Sequence, residues 1–182
     1  MRFIKTSIKD LYIIEPEIFK DNRGLFFESY SKKKFEEAGF YYDFVQDNYS
    51  YSAKKNTLRG IHFQIDNAAQ TKLVRCISGK ILDLAIDLRF SSPTYKKYLL
   101  IELTAENKKQ ILIPKGFGHA FLTLSDDVEF FYKLDNFYDK SKEDSIIWND
   151  KTLNISWPVE NPILSQKDLN AKEFNNNKIY FD

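Results

Sequence analysis

The sequence predicts an all-β chain: a sandwich or barrel of short strands, a jelly roll among the architectures that fit, with a few short helices. Three observations carry this expectation. Runs of apolar-polar alternation suited to strands recur from Phe40 to Leu134. Turn-forming clusters separate those runs at the short, regular spacing of sandwiches and barrels. Aromatic residues make up 16% of the chain, and their bulk favours a pleated, half-buried surface over a helix.

Taken in order, residues 1 to 30 hold two apolar runs, Leu11 to Ile14 and Leu25 to Tyr30. Asp21-Asn22-Arg23-Gly24 lies between them and has turn composition. Ser31 to Ala38 reads as one short helix, with Ser31 as N-cap, Gly39 as stop and Phe35 packed on the sheet. Tyr42 to Ser52 is a strand carrying Gln46-Asp47-Asn48, amides that suit a turn as well as a ligand. The next strand-like runs contain Leu58 to Gln64 and Lys72 to Ile77. In Ile81 to Arg89, Leu82, Leu84, Ile86 and Leu88 share one face, and Asp83, Ala85 and Asp87 the other; this predicts one apolar and one wet face. Tyr98 to Leu103, Gln110 to Pro114, Phe117 to Leu124 and Val128 to Leu134 complete the series. Trp148 and Trp157 anchor a loop-rich region, and the Asn-rich end near Asn175 reads as a turn or a loosely held tail.

Composition narrows the function classes. At 182 residues the chain is expected to be one domain with a sizeable core. Its 27 basic and 26 acidic residues nearly cancel, so nothing points to a nucleic-acid partner or a membrane surface. One cysteine excludes an internal disulfide framework and fits a reducing compartment. Charged Arg2, Lys5, Lys9 and Asp10 interrupt any signal-peptide core, and no apolar run is long enough to span a bilayer. A cytoplasmic location is the default expectation.

The chemistry concentrates between Thr57 and Ile77. His62, one of two histidines, sits in a strand-like run with Gly60 and Gln64 on its face. Lys72 opens a second run. Were the two strands neighbours in one sheet, an imidazole and an ammonium would face one cavity. Such a pair suits proton abstraction beside a carbonyl, the imidazole as base and the ammonium opposite the developing oxyanion. Taken singly, His62 is more often a core histidine and Lys72 a snorkelling surface lysine. Two further residues read both ways. Asp168, three residues after Ser165, either belongs to a helix cap or orients His62. Tyr132 is core filler beside Phe130 and Leu134, or an acid. Likewise, Arg23 is an exposed turn arginine or a phosphate fork.

Several familiar sites are missing: there is no glycine-rich nucleotide loop and no paired Cys-x-x-Cys. Pro114-Lys115-Gly116-Phe117-Gly118-His119 has the P-x-G-x-x-H form of the second cupin motif. The first cupin motif would need H-x-H at His62, but position 64 is Gln, which disfavours a metal. The expectation is no metal and no cofactor.

Six blocks together resemble the dTDP-4-dehydrorhamnose 3,5-epimerase family. They are Leu58-Arg59-Gly60-Ile61-His62-Phe63-Gln64; Gln70-x-Lys72-Leu73-Val74-Arg75; Ile113 to His119; Phe131-Tyr132-Lys133; Trp148-Asn149-Asp150; and Leu164-Ser165-x-Lys167-Asp168. They follow the family's order and approximate spacing from about residue 3 to Asp168. The resemblance implies a cupin-type jelly roll, a homodimer, no metal and a dTDP-sugar substrate. It implies His62 as base with Asp168 behind it, Tyr132 as acid on the opposite face of the sugar, and Lys72, helped by Arg59, at the enolate oxygen. For substrate binding it implies Arg23, Phe26, Glu28, Gln46, Asn48, Arg59, His119, Tyr138, Glu143 and Lys167. Some of these come from a partner's N-terminal arm, about residues 1–30. Residues 169–182 fall beyond the match and have no assignment.

The chain departs from the family pattern at Asn67, where Pro is common, and at Gly118, where Ala is common; both are expected to lie in or beside loops. Gly118 is further expected to leave room beside His119 for the sugar ring to reorient. Strict alternation puts Arg59 and His62 on opposite faces, so both reach one site only if Gly60 permits a bulge. The competing expectations are a relative that inverts C3 or C5 alone, and a non-catalytic carbohydrate-binding sandwich. The second has no need of an acid-base pair.

Overall fold

Two antiparallel sheets face each other in the computed structural model, which describes residues 1–182. The strands are β1 Arg2–Lys5, β2 Tyr12–Glu15, β3 Phe19–Asp21, β4 Gly24–Phe26, β5 Gln46–Ser52, β6 Leu58–Gln64 and β7 Lys72–Ser78. They continue with β8 Lys80–Asp87, β9 Tyr98–Thr104, β10 Gln110–Ile113, β11 Phe117–Thr123, β12 Val128–Leu134 and β13 Glu143–Ser145. One sheet runs β1-β2-β10-β7-β12-β5 and the other β13-β6-β11-β8-β9, while β3 and β4 form a separate hairpin. The result is the all-β jelly-roll sandwich that the alternation predicted, with two short helices, α1 Lys32–Glu37 and α2 Gln166–Leu169.

Local signals were accurate where they were strong. Ser31 caps α1 through the Lys34 N–H, and Phe35 is buried from it in an aromatic cluster with Phe3, Phe40 and Tyr30. The Asp21-to-Gly24 turn links β3 to β4, but the strand stops at Phe26 rather than running on to Tyr30. Residues 42–45 are likewise outside β5; Tyr42 and Phe44 pack on the same aromatic cluster instead.

Two expectations are overturned. The first is the wet face of β8, since Asp83, Ala85 and Asp87 are all fully buried. That face points between the sheets, where Ile81 and Ala85 join Val74, Ile111 and Phe130 in the main core. Leu84, Ile86 and Leu88 look outward into a second core closed by Ile146, Leu153, Phe174 and Tyr180. Period two correctly separated the faces, but later chain covers the outer one. Asp87 is tolerated there because Arg89, Ser92 and Thr94 all donate to it.

The second is the loosely held tail. Phe174 and Tyr180 stack 5.2 Å apart, and Tyr180 meets Phe63 edge-on at 5.5 Å. Asp150 accepts the Phe174 N–H at 2.7 Å, and the Phe90 N–H donates to the Phe181 carbonyl at 2.8 Å. The asparagines turn the chain so that these aromatics can dock.

Candidate active site

A cavity of about 460 Å³ opens between the two sheets. Its walls come from β5, β6, β7, β11 and β12, with Tyr138, Glu143 and the segment Ile163 to Asp168 closing one side. His62 and Lys72 both line it, but from opposite sheets, because β6 and β7 are not neighbours. The sandwich therefore brings imidazole and ammonium together across its interior rather than along one sheet.

The bulge required of β6 is present. His119 pairs with His62, and Phe121 with Arg59, so β6 carries one residue more than β11 over that stretch. Gly60 takes φ +113°, a backbone conformation that glycine reaches without steric cost. As a result Arg59 and His62, three residues apart, both line the cavity.

Both readings of Asp168 hold at once. The Ser165 hydroxyl accepts the Asp168 N–H as the cap of α2, and donates to Asp168 Oδ2 at 2.7 Å. Asp168 Oδ1 lies 2.5 Å from His62 Nε2. Burial pushes the Asp168 carboxyl upward, but the His62 and Ser165 hydrogen bonds outweigh it and hold Asp168 below the usual carboxylate range. With Nε2–H donated to an ionised carboxylate, Nδ1 is the free basic nitrogen of His62.

Tyr132 comes from β12, in the sheet opposite His62, and packs on Phe130 with centroids 5.6 Å apart. It is thus core neighbour and cavity wall together. Burial by those walls pushes the Lys72 ammonium down to about 8, while Asp83 and Glu143 pull the other way. Arg59 stands at the rim, its guanidinium donating to Ser52 Oγ and the Tyr51 carbonyl. His119 is buried, donates from Nε2 to Asp83 Oδ2 at 3.0 Å, and stacks over Phe130. Its burial lowers the ring below the ordinary histidine pKa.

A polar rim completes the cavity. Gln46 donates to Asn48 at 2.9 Å, and Tyr138 donates to Glu143 at 2.9 Å. Lys167 pairs with Glu143. By contrast, Arg23, Phe26 and Glu28 do not reach this cavity within the chain. Arg23 is exposed on the β3–β4 hairpin and paired with Asp21 at 2.6 Å; Glu28 pairs with Lys34. Gly118 lies beside the Lys115-Gly116 turn, as expected, but the room expected beside His119 is not there. It is the second residue of β11, and a Cβ there would meet Ile61 and Ile86 on the outer core, so its lack of a side chain opens no room on the cavity side.

Sequence reasoning missed Asp83 and undervalued Gln64. The available signal for Asp83 was an acid in a strand whose every other residue from Ile81 to Ile86 is apolar. Gln64 lines the cavity, and its Oε1 accepts the Asp139 N–H at 2.8 Å, which ties the loop after β12 to β6. No group of three or more His, Cys, Asp or Glu side chains is positioned to hold a metal ion.

The chain as a whole is similar to known proteins. The family model for dTDP-4-dehydrorhamnose 3,5-epimerase matches residues 5–176. A Shigella flexneri protein named dTDP-4-dehydrorhamnose 3,5-epimerase is 53% identical over 96% of each chain. Among solved structures, the Bacillus anthracis dTDP-4-dehydrorhamnose 3,5-epimerase with TDP and PPi bound superposes with a TM-score of 0.93. It is 46% identical, and the match covers 95% of this chain and 99% of that one. The Legionella pneumophila dTDP-6-deoxy-D-glucose-3,5-epimerase in complex with dTDP-4-keto-L-rhamnose gives 0.90 at 44% identity, covering 94% and 92%.

Proposed function

The chain belongs to the dTDP-4-dehydrorhamnose 3,5-epimerase family, and from that premise we infer that it is an isomerase of cupin-type fold. Its reaction is the epimerisation of dTDP-4-dehydro-6-deoxy-D-glucose at C3 and C5, giving dTDP-4-dehydro-L-rhamnose. The mechanism follows from the cavity. The C4 carbonyl acidifies the hydrogens on both neighbouring carbons. His62 Nδ1 takes one of these protons, and the electron pair left on carbon moves to O4 as an enolate. Asp168, held ionised by its hydrogen bonds, stabilises the imidazolium that forms. Lys72, with Arg59 at the rim, supplies positive charge where O4 becomes negative. Tyr132 returns a proton to the opposite face of the same carbon, inverting it, and the cycle repeats at the second carbon. Solvent restores the phenol proton and removes the one on His62.

One observation carries this reading: the His62–Asp168 pair and Tyr132 line one cavity from opposing sheets, with Lys72 beside them. A sugar-binding sandwich needs no such pair. Gln46, Asn48, His119, Tyr138, Glu143 and Lys167 contact the nucleotide and sugar around it. The functional unit is a homodimer in which Arg23, Phe26 and Glu28 enter the partner's cavity. Exposed Phe19, Leu25 and Phe26 on the β3–β4 hairpin support this, being an apolar surface that a monomer leaves in water. No helix is long and apolar enough to cross a membrane.

The test is to incubate the protein with the 4-keto sugar nucleotide in D₂O and read the product by NMR. Deuterium at both C3 and C5, with both centres inverted, is expected. Deuterium at one carbon, the other unchanged at long times, would instead make the protein a single-centre epimerase.

A further inference from the structure

Two cavity glutamines have no part in the mechanism above. Gln64 stands on β6 two residues after His62, and Gln70 two residues before Lys72; both line the cavity. Each is bonded to the same short loop, Asp135 to Asp139, which follows β12. The Asp139 N–H donates to Gln64 Oε1 at 2.8 Å, and Gln70 Nε2 donates to the Asn136 carbonyl at 3.0 Å. A backbone N–H only donates and a carbonyl only accepts, so the orientation of both amides is fixed.

The loop is thereby tied to both sheets, beside the base on one and the ammonium on the other. At the Gln70 end the Thr71 N–H adds a bond to Asp135 Oδ1 at 2.6 Å. Between the two ties the loop presents Tyr138, which lines the cavity and donates to Glu143 at 2.9 Å. Glu143 sits opposite Gln64 in the β6–β13 register, so a closed circuit runs from Gln64 through Asp139, Tyr138 and Glu143 back to β6. Tyr138 is 52% exposed, so burial contributes little to holding it there. Gln64 by contrast is buried, and its Nε2 has no partner. An apolar side chain would avoid that cost, so what this amide contributes is its oxygen.

We propose that Gln64 and Gln70 are positioning residues for substrate binding: two amide pins that hold the 135–139 loop between the sheets and so set Tyr138 for the nucleotide sugar. Neither takes part in proton transfer. Because each pin is anchored next to a catalytic side chain, the grip on the substrate and the groups that act on it share one frame. A loop that found its place only after the substrate entered would spend part of the binding energy on ordering. The pins remove that cost beforehand.

This inference rests on Tyr138 contacting the substrate, as proposed above, and Gln64→Met and Gln70→Met test it. Methionine is close to glutamine in length, and the freed Asp139 N–H can turn to water because Asp139 is exposed. The melting temperature of Gln64→Met should therefore hardly move. In both variants KM for the 4-keto sugar nucleotide, read by deuterium wash-in, should rise about tenfold, the scale of one lost hydrogen bond. The fall in kcat should be smaller, since His62, Lys72 and Tyr132 keep their places. In a Tyr138→Ala background, Gln64→Met should raise KM little further, because the pin then holds nothing that the substrate meets. An unchanged KM, a full additional loss in that background, or a kcat loss that merely follows a fall in melting temperature would each overturn the proposal. A wild type without wash-in would instead sink the epimerase reading, and this inference with it. Should the variants not fold, amide exchange in the wild type decides: the Asp139 amide should be protected before any dTDP is added, and rapid exchange there overturns the proposal.

Discussion

At the residue scale the site depends on groups whose ionisation is set by burial and by neighbouring charge. Lys72 gives the clearest consequence. A lysine lowered to about 8 is charged below that pH and neutral above it. Turnover should therefore fall as pH rises through about 8, well before an exposed lysine would titrate. A kcat–pH profile that stays flat to pH 10 would mean that the ammonium contributes nothing at O4. His62, Lys72 and Tyr132 were legible because few other residue types in the chain carry such chemistry, and because six blocks keep one order and spacing. Asp83 was not, since nothing in an alternating strand tells whether the polar side meets water or a second sheet. The double role of Asp168 was hidden for a similar reason: a cap is a local pattern, whereas its contact with His62 joins residues 106 apart in sequence.

At the element scale β6 determines the site. Its bulge turns Arg59 and His62 toward one cavity, and Gly60 is the residue that allows it. A Cβ at Gly60 would lie 2.6 Å from the His119 carbonyl oxygen and 2.7 Å from the Ala120 Cβ, with φ in the left-handed region besides. Gly60→Ala should destabilise the fold by on the order of 1–3 kcal/mol and lower kcat as the two side chains part. Thermal melting and turnover measured on one preparation check this; a variant unchanged in both would show that β6 bulges without glycine. The need for this bulge could be read from the sequence, because alternation and the shared role of Arg59 and His62 conflict there. Helix α1 was legible from its cap, its stop and one buried Phe. The outer cover of β8 was not, because Ile146, Leu153, Phe174 and Tyr180 reach it from far along the chain, disguised by loop and Asn-rich composition.

For the whole molecule, two sheets set across a cavity allow a base and an acid to address opposite faces of one sugar. In the proposed dimer, the partner's hairpin would complete the nucleotide end. If Arg23 serves the partner's cavity, then Arg23→Ala and His62→Ala chains, each impaired alone, should regain activity when co-expressed, because half of the mixed dimer's sites are intact. No recovery in verified heterodimers would return Arg23 to its own chain's surface. The central claim is narrower: His62 removes the proton, and Tyr132 replaces it from the other side. The direct measurement compares deuterium wash-in with inversion, in D₂O, for His62→Ala and Tyr132→Phe. Loss of the base should cut both by on the order of 10²–10⁴. Loss of the phenol should leave substrate exchanging deuterium faster than it inverts, because abstraction and return on the His62 face persist. Equal losses of exchange and inversion in Tyr132→Phe, or wild-type exchange in a folded His62→Ala, would contradict the account.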